Sequence, residues 1–211
     1  MIRVLIVDDH LIIRRGLRQI LAEQPAIDPV ADAADAAEAL ACLRAQEIDV
    51  VLLDVALGDR DGLDLLTRIR AEFPSVGVLM LSVYPEAQFA QRAIRSGASG
   101  YLNKGCSPSQ LTAAIEKVAS GGLFVSAELA ERLAGELRSA AGRAPHESLS
   151  NREYQVLQLL VLGESVSAIA ARLNLSVNTV STYRARVFDK LGLRNAADLF
   201  SYASRHGLVA L

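Results

Sequence analysis

The sequence predicts an α/β chain. A doubly wound, five-stranded parallel sheet comes first, then a linker, then an all-α domain of four helices. Three observations predict it. Five short apolar runs alternate with helical patterns over the first 125 residues. No strand pattern recurs beyond Gly121-Gly122. The charge balance also shifts, from 12 basic and 16 acidic side chains in residues 1–125 to 7 and 4 in residues 149–211.

The apolar runs are residues 2–7, 28–33, 49–53, 76–81 and 99–102. VLIV and VVLL are apolar on both faces, as strands covered by helices on both sides must be. Residues 11–22 carry Leu11, Leu17, Ile20 and Leu21 at helical spacing. Residues 35–46 open with Asp35 and Glu38, a capping-box pattern, and continue with Leu40 and Leu43. Residues 61–72, 86–96 and 107–119 read as helices, the last with Ser107 as N-cap and Pro108 at the first helical position. Residues 127–137 form one more helix, and 138–147 are small, polar and Pro-containing, a linker. Four helices follow at 151–162, 166–173, 177–191 and 196–206, with a capping box of Ser150 and Glu153 and a stop at Gly163. The expected division is 1–122, a linker helix and linker at 123–148, and 149–211.

The chain has 211 residues, 51% of them hydrophobic, and a formal charge of −2. No apolar run is long enough for a membrane span and no signal peptide opens the chain, so no membrane partner and a cytoplasmic location are expected. Cys42 and Cys106 lack disulfide-framework or metal spacing and read as reduced thiols.

Ligands of doubly wound sheets bind at the carboxyl ends of the strands. Asp8 and Asp9 follow the first strand there, Asp54 the third, Ser82 the fourth and Lys104 the fifth. Each alone has an ordinary reading as a cap, turn or solvated charge; their joint placement does not. Three converging carboxylates need a cation, and hard oxygen ligands suit Mg²⁺. A lysine and a hydroxyl beside it suggest an incoming phosphoryl group.

VDD at 7–9, LLD at 52–54, LS at 81–82 and GYLNK at 100–104 resemble the receiver domain of two-component response regulators, which is flavodoxin-like. The resemblance implies that Asp54 is the phosphoacceptor, a nucleophile toward the phosphohistidine of a sensor histidine kinase. It implies that Asp8, Asp9, Asp54 and the backbone carbonyl of Ala56 hold Mg²⁺. Ser82 would hydrogen-bond the phosphoryl group, Lys104 would pair with it, and Tyr101 would swing inward with Ser82 as the switch. Leu57-Gly58 stands where receivers often have Met-Pro, and Gly105 where a Pro commonly follows the lysine. Gly58 is expected to loosen the loop after Asp54. Ala56 and Tyr84, the two positions that tune dephosphorylation in the family, supply no group to orient a hydrolytic water, so slow self-dephosphorylation is expected. Asp59 and Asp61 read as solvated loop and helix-start acids. A calcium loop ending in DRDG fails, because Leu57 and Arg68 stand where acids are required.

Residues 166–191 read helix, turn, helix. Ile169, Ala170 and Leu173 give the first helix an apolar face. Val177, Val180, Val187 and Leu191 do the same for the second, with Arg184 at the arc's edge. Asn178, Ser181, Thr182, Ala185 and Arg186 lie on a polar face that can enter a major groove. LSNREYQVLQLL with IAARLNLSVNTVSTYRARVFDKLGLRN is similar to the LuxR-type helix-turn-helix domain; joined to a receiver, it implies the NarL/FixJ subfamily. By that resemblance Ser181, Thr182 and Ala185 contact the major groove, and Asn178, Thr179, Tyr183, Arg184 and Arg186 contact phosphates. Ser181, where Lys is frequent, cannot make a bidentate guanine contact. The implied function is a transcription factor, not an enzyme, that binds promoter DNA as a homodimer once phosphorylated. The alternative is a constitutive DNA-binding dimer whose receiver works without phosphate. A phosphohydrolase of another α/β family would want an acid at Ala56.

Overall fold

The computed structural model describes residues 1–57, 60–83, 86–138 and 144–208. Gly58, Asp59 and Tyr84, on which the expectations of a looser loop, a solvated loop acid and, in part, slow self-dephosphorylation rest, lie outside the described residues, as does the side chain of Asp61. The chain falls into two compact units, Met1–Ala140 and Ala141–Leu211.

The first unit runs β1 (Ile2–Val7), α1 (Leu11–Ala22), β2 (Ile27–Ala33), α2 (Ala36–Ala45) and β3 (Val50–Asp54). It continues through β4 (Ala56–Leu57), β5 (Arg60–Asp61), α3 (Gly62–Glu72), β6 (Gly77–Ser82), α4 (Glu86–Arg95), β7 (Gly100–Asn103), α5 (Pro108–Ala119) and α6 (Ala127–Arg138). The five long strands form one parallel sheet in the order β2-β1-β3-β6-β7, the architecture the alternating runs predict. The order reverses between β1 and β3, so a crevice opens at their carboxyl ends.

The apolar runs work as expected. Val4, Ile6, Val50, Leu52, Leu79 and Leu81 point to one face and pack on Leu21, Leu111, Ile115 and Val118. Leu5, Val51, Leu53 and Met80 between them are buried as well, because helices cover both faces. Two differences from the sequence reading matter. Asp54 does not follow β3 but is its last residue, in register with Leu81, and Ser82 likewise ends β6. A short antiparallel ladder, β4 with β5, pairs Ala56 with Asp61 and Leu57 with Arg60 just beyond Asp54.

Caps are where the local sequence acts most directly. Ser107 with Gln110 and Ser150 with Glu153 make full capping boxes. Asp35 caps α2 from Ala37 and Glu38 N–H, but Glu38 reaches back to Ala34 N–H rather than to Asp35, so the expected box is shifted by one residue. Beside β7, Phe124 N–H donates to the Ser99 carbonyl at 2.9 Å and its own carbonyl accepts from Tyr101 N–H at 3.2 Å. A Cβ on Gly100 would lie 2.7 Å from that carbonyl, which is why glycine stands there.

The second unit holds a short 3₁₀ turn (Pro145–Ser148), α7 (Asn151–Val161), α8 (Val166–Leu173), α9 (Val177–Leu191) and α10 (Ala196–Arg205). Val156, Leu157, Ile169, Val180, Val187 and Leu199 form its core. Asn174 caps α8 in the left-handed region at φ 54°, and Ser176 caps α9 from Thr179 N–H, giving the tight turn between the two helices. Val177 departs from the expected apolar cluster. It is 49% exposed, at the first residue of α9. Glu153 does two jobs: its Oε2 accepts from Ser150 N–H at 2.7 Å and from Lys190 Nζ at 2.6 Å.

Burial pushes the Glu153 carboxyl up, but Lys190 and Ser150 donate to it and hold it below its usual range. A depressed carboxyl contributes stability above its ordinary pKa and loses it as pH falls through the folded value. Lys190→Ala is therefore expected to weaken the second unit by about 1–2 kcal/mol at pH 7, discounted because the lysine is partly solvated. Scanning calorimetry of the full chain at pH 7 and pH 4 should show that loss shrinking in acid.

Candidate functional site

The carboxyl ends of β1, β3, β6 and β7 bring Asp8, Asp54, Ser82 and Lys104 to one rim. Lys104 Nζ lies 2.6 Å from Asp8 Oδ2 and 2.8 Å from Asp54 Oδ2. Its backbone N–H donates to the Ser82 carbonyl at 2.8 Å, fixing the start of that reach. Asp8 and Ser82 are each 1% exposed and Asp54 5%, so these charges sit out of bulk water. Tyr101 is buried on β7, in register with Met80.

Desolvation dominates at Asp54 and lifts its pKa to about 6. Lys104 and the Ala56 N–H pull it down without cancelling that rise, while nearby Asp8 adds to it. At Lys104 burial opposes the charge, but Asp54 and Asp8 overcome it and push its pKa above the usual lysine value. Asp54 is thus ionised at neutral pH but more basic than an ordinary aspartate, which suits a nucleophile.

Asp8, Asp9, Asp54 and His10 each offer a ligand atom, and these atoms lie within 4.8 Å of one another. Three carboxylates against the single Lys104 leave a negative excess close to the charge of a divalent cation. Hard oxygens in that number fit Mg²⁺. Ala56, two residues beyond Asp54, sits half-buried at the start of the β4–β5 ladder.

Three residues of this rim escaped the sequence reading. His10 Nδ1 lies 2.7 Å from Asp9 Oδ1 and 3.2 Å from Asp8 Oδ1, and its position directly after the two aspartates was the available signal. Gly62 opens α3 against Asp54: a Cβ there would lie 2.0 Å from the Asp54 carbonyl oxygen. The signal was a glycine directly behind an acidic loop. Arg14, on α1, donates to the Asp8 carbonyl at 2.6 Å, a contact no local pattern announces.

In the second unit, α9 presents Asn178, Ser181, Thr182, Arg184, Ala185 and Arg186 to solvent, with Thr179 and Tyr183 half-buried. Several of these are already engaged. Ser176 Oγ and Thr179 Oγ1 are 2.8 Å apart within the cap. Thr182 Oγ1 donates to the Asn178 carbonyl at 3.0 Å. The Arg184 guanidinium lies 4.9 Å over the Phe188 ring, so the edge-of-arc position is an exposed stacked cation.

A response regulator receiver domain profile matches residues 4–116, and a profile of bacterial regulatory proteins of the luxR family matches residues 147–203. The chain is 36% identical over 209 residues to the response regulator UvrY of Escherichia coli O6:H1, covering 99% of this chain and 96% of the relative. It is 38% identical over 199 residues to the transcriptional regulatory protein UhpA of Escherichia coli K12, covering 94% and 96%. Among solved structures it is similar to RcsB from Salmonella enterica serovar Typhimurium bound to promoter rprA in the presence of phosphomimetic BeF3-. That similarity has a TM-score of 0.59 at 25% identity and covers 96% of this chain and 98% of that one.

A carboxyl raised on folding contributes stability below its ordinary pKa and loses it as pH rises through the folded value. For Asp54 that window runs from about 4 to about 6. At pH 7.5 in metal-free buffer, Asp54→Asn is expected to stabilise the first unit by about 1–3 kcal/mol. The gain should fade below pH 6 and vanish near pH 4. Calorimetry across that range checks it; a lower melting temperature for the variant at pH 7.5 would mean the Lys104 pairing outweighs the burial penalty.

Proposed function

The chain belongs to the two-component response regulators of the NarL/FixJ subfamily, transcription factors that join a receiver to a LuxR-type DNA-binding domain, and from that premise we propose that phosphorylation of Asp54 by a sensor histidine kinase controls its binding to promoter DNA. The observation that carries this reading is the buried convergence of Asp8, Asp54 and Lys104 at the strand ends, with Lys104 Nζ within 2.8 Å of Asp54.

In the proposed step an Asp54 carboxylate oxygen attacks the phosphorus of the kinase's phosphohistidine. A P–O bond forms, the P–N bond breaks, and the imidazole leaves with the electron pair. Asp8, Asp9, Asp54 and the Ala56 carbonyl would hold Mg²⁺, which supplies positive charge against the phosphoryl oxygens. Lys104 turns from its two carboxylates toward the new phosphoryl group, and Ser82 donates a hydrogen bond to it. Tyr101 is in register with Met80, two residues before Ser82, and its N–H donates to the Phe124 carbonyl, so a shift at Tyr101 reaches the segment leading into α6. No other catalysis is proposed, and self-dephosphorylation is slow because Ala56 offers no group to orient water.

The second unit would read DNA with α9. Ser181, Thr182 and Ala185 face the bases; Asn178, Thr179, Tyr183, Arg184 and Arg186 face phosphates. RcsB, similar along its length, has been solved on promoter DNA with a phosphomimetic, which supports a DNA-bound, phosphorylation-responsive form here. We infer a homodimer on a symmetric site, since two copies double the phosphate contacts of a weakly charged domain. Among the described residues no helix is long and apolar enough to cross a membrane, and a cytoplasmic location is proposed.

The test is DNA pull-down and sequencing with and without a small phosphoryl donor and Mg²⁺, with Asp54→Asn as control. Donor-dependent occupancy lost in the variant is expected; equal occupancy in all three samples would favour a constitutive dimer. Arg184→Ala and Arg186→Ala are each expected to weaken binding nearly uniformly across sequences and to lower the salt slope by about one phosphate contact. A changed sequence preference at constant salt slope would reassign them to base contacts.

A further inference from the structure

Asp8 leaves β1 with every polar group engaged. Its N–H donates to the Ala33 carbonyl at 3.2 Å, its Oδ1 accepts from His10 N–H at 2.8 Å, and its Oδ2 meets Lys104. Its carbonyl accepts from Arg14 Nη1 at 2.6 Å. That carbonyl belongs to the peptide unit whose nitrogen is Asp9's. The tilt of one plane therefore sets where both carboxylates point.

Arg14 is itself held. Its Nε donates to Asp32 Oδ2 at 3.1 Å, and its side chain is only 12% exposed. Asp32, on β2, is also gripped by Arg18, whose Nη2 lies 2.9 Å from Oδ1. The two arginines differ in one respect: Arg18's other contact is the Pro29 carbonyl at 2.9 Å, away from the acidic turn. Of the two arginines, Arg14 connects the Asp32 anchor to the Asp8–Asp9 peptide. A rigid fork can hold two acceptors in different directions at once, which a lysine cannot do.

We infer that Arg14 is a positioning residue for the divalent cation of the phosphoryl site, clamping the Asp8–Asp9 peptide between α1 and Asp32 so that both carboxylates meet the metal. This rests on the phosphoryl-transfer reading above. It assigns Arg14 no contact with metal or phosphate. Outer partners that orient metal ligands typically change affinity ten- to a hundredfold when removed.

The experiment uses the full chain and MgCl₂ alone as the probe. Calorimetric titration gives Mg²⁺ affinity, and acetyl phosphate with varied Mg²⁺ separates the metal dependence of phosphorylation from its maximal rate. Arg14→Met is expected to raise the Mg²⁺ dissociation constant about tenfold, with the maximal rate largely recovered at saturating Mg²⁺. Arg18→Met, which removes Arg18's own bonds to Asp32 Oδ1 and the Pro29 carbonyl and leaves the Arg14–Asp32 bond in place, should leave both unchanged while lowering the melting temperature. Asp32→Asn gives a second route if Arg14→Met folds poorly, and should weaken Mg²⁺ by a smaller factor. Wild-type affinity in Arg14→Met or Asp32→Asn, or an equal loss in Arg18→Met, overturns the assignment. A wild-type chain that binds no Mg²⁺ overturns the phosphoryl-transfer reading and this inference with it. A wild type that binds Mg²⁺ normally isolates any failure to Arg14.

Discussion

The rim of the sheet depends on one ammonium shared by two buried carboxylates. In the order β1-β3-β6-β7, Lys104 starts three strand spacings from Asp8, roughly 14 Å across the sheet. Yet its Nζ ends 2.6 Å from Asp8 and 2.8 Å from Asp54. The reach is possible because the lysine stem crosses the end of β6, where the Lys104 N–H is tied to the Ser82 carbonyl. Asp54, Asp8 and Ser82 are buried by the same strand ends that position them. Without Lys104 two carboxylates would face each other in a medium that solvates neither, and one would take up a proton.

That arrangement carries an unresolved charge. Lys104 answers one carboxylate's worth of negative charge among three, and desolvation keeps Asp54 near pKa 6 despite it. The resting rim is therefore less stable than an apolar rim of the same shape, and any cation or phosphoryl group that enters finds groups already ordered to receive it. The order is supplied from outside the rim. Arg14 holds the peptide of Asp8, the β4–β5 ladder pairs the residues just beyond Asp54, and Gly62 allows α3 to close against the Asp54 carbonyl. Stability lost at the rim is balanced by packing behind it, where β1, β3 and β6 are covered on both faces.

What was legible in the sequence was what is local. Strand runs, helix starts and caps rest on residues within a turn of each other, and Ser107 with Gln110 and Ser150 with Glu153 close as their spacing predicts. The set of acids at strand ends was visible because a parallel sheet turns sequence order into a common rim. What stayed hidden joins distant positions outside that rim. Glu153 and Lys190 are 37 residues apart and leave no local mark. Arg14 on Asp8 is near in sequence but runs from a helix to a backbone carbonyl, which leaves no mark in residue type. Val177, which helical periodicity places on the apolar face, is 49% exposed at the first residue of α9.

The same reasoning limits what α9 can recognise. Thr179 is drawn into the cap by Ser176, Thr182 spends its proton on the Asn178 carbonyl, and Arg184 is stacked on Phe188. The side chains proposed to face the bases, Ser181, Thr182 and Ala185, are all short, and Arg186 is an exposed long cation with no described stacking or hydrogen bond. Short side chains discriminate by close approach of the helix rather than by bidentate reach. Close approach must be driven by phosphate contacts, and this unit carries few cations. A single copy therefore has little electrostatic drive to hold α9 deep in a groove.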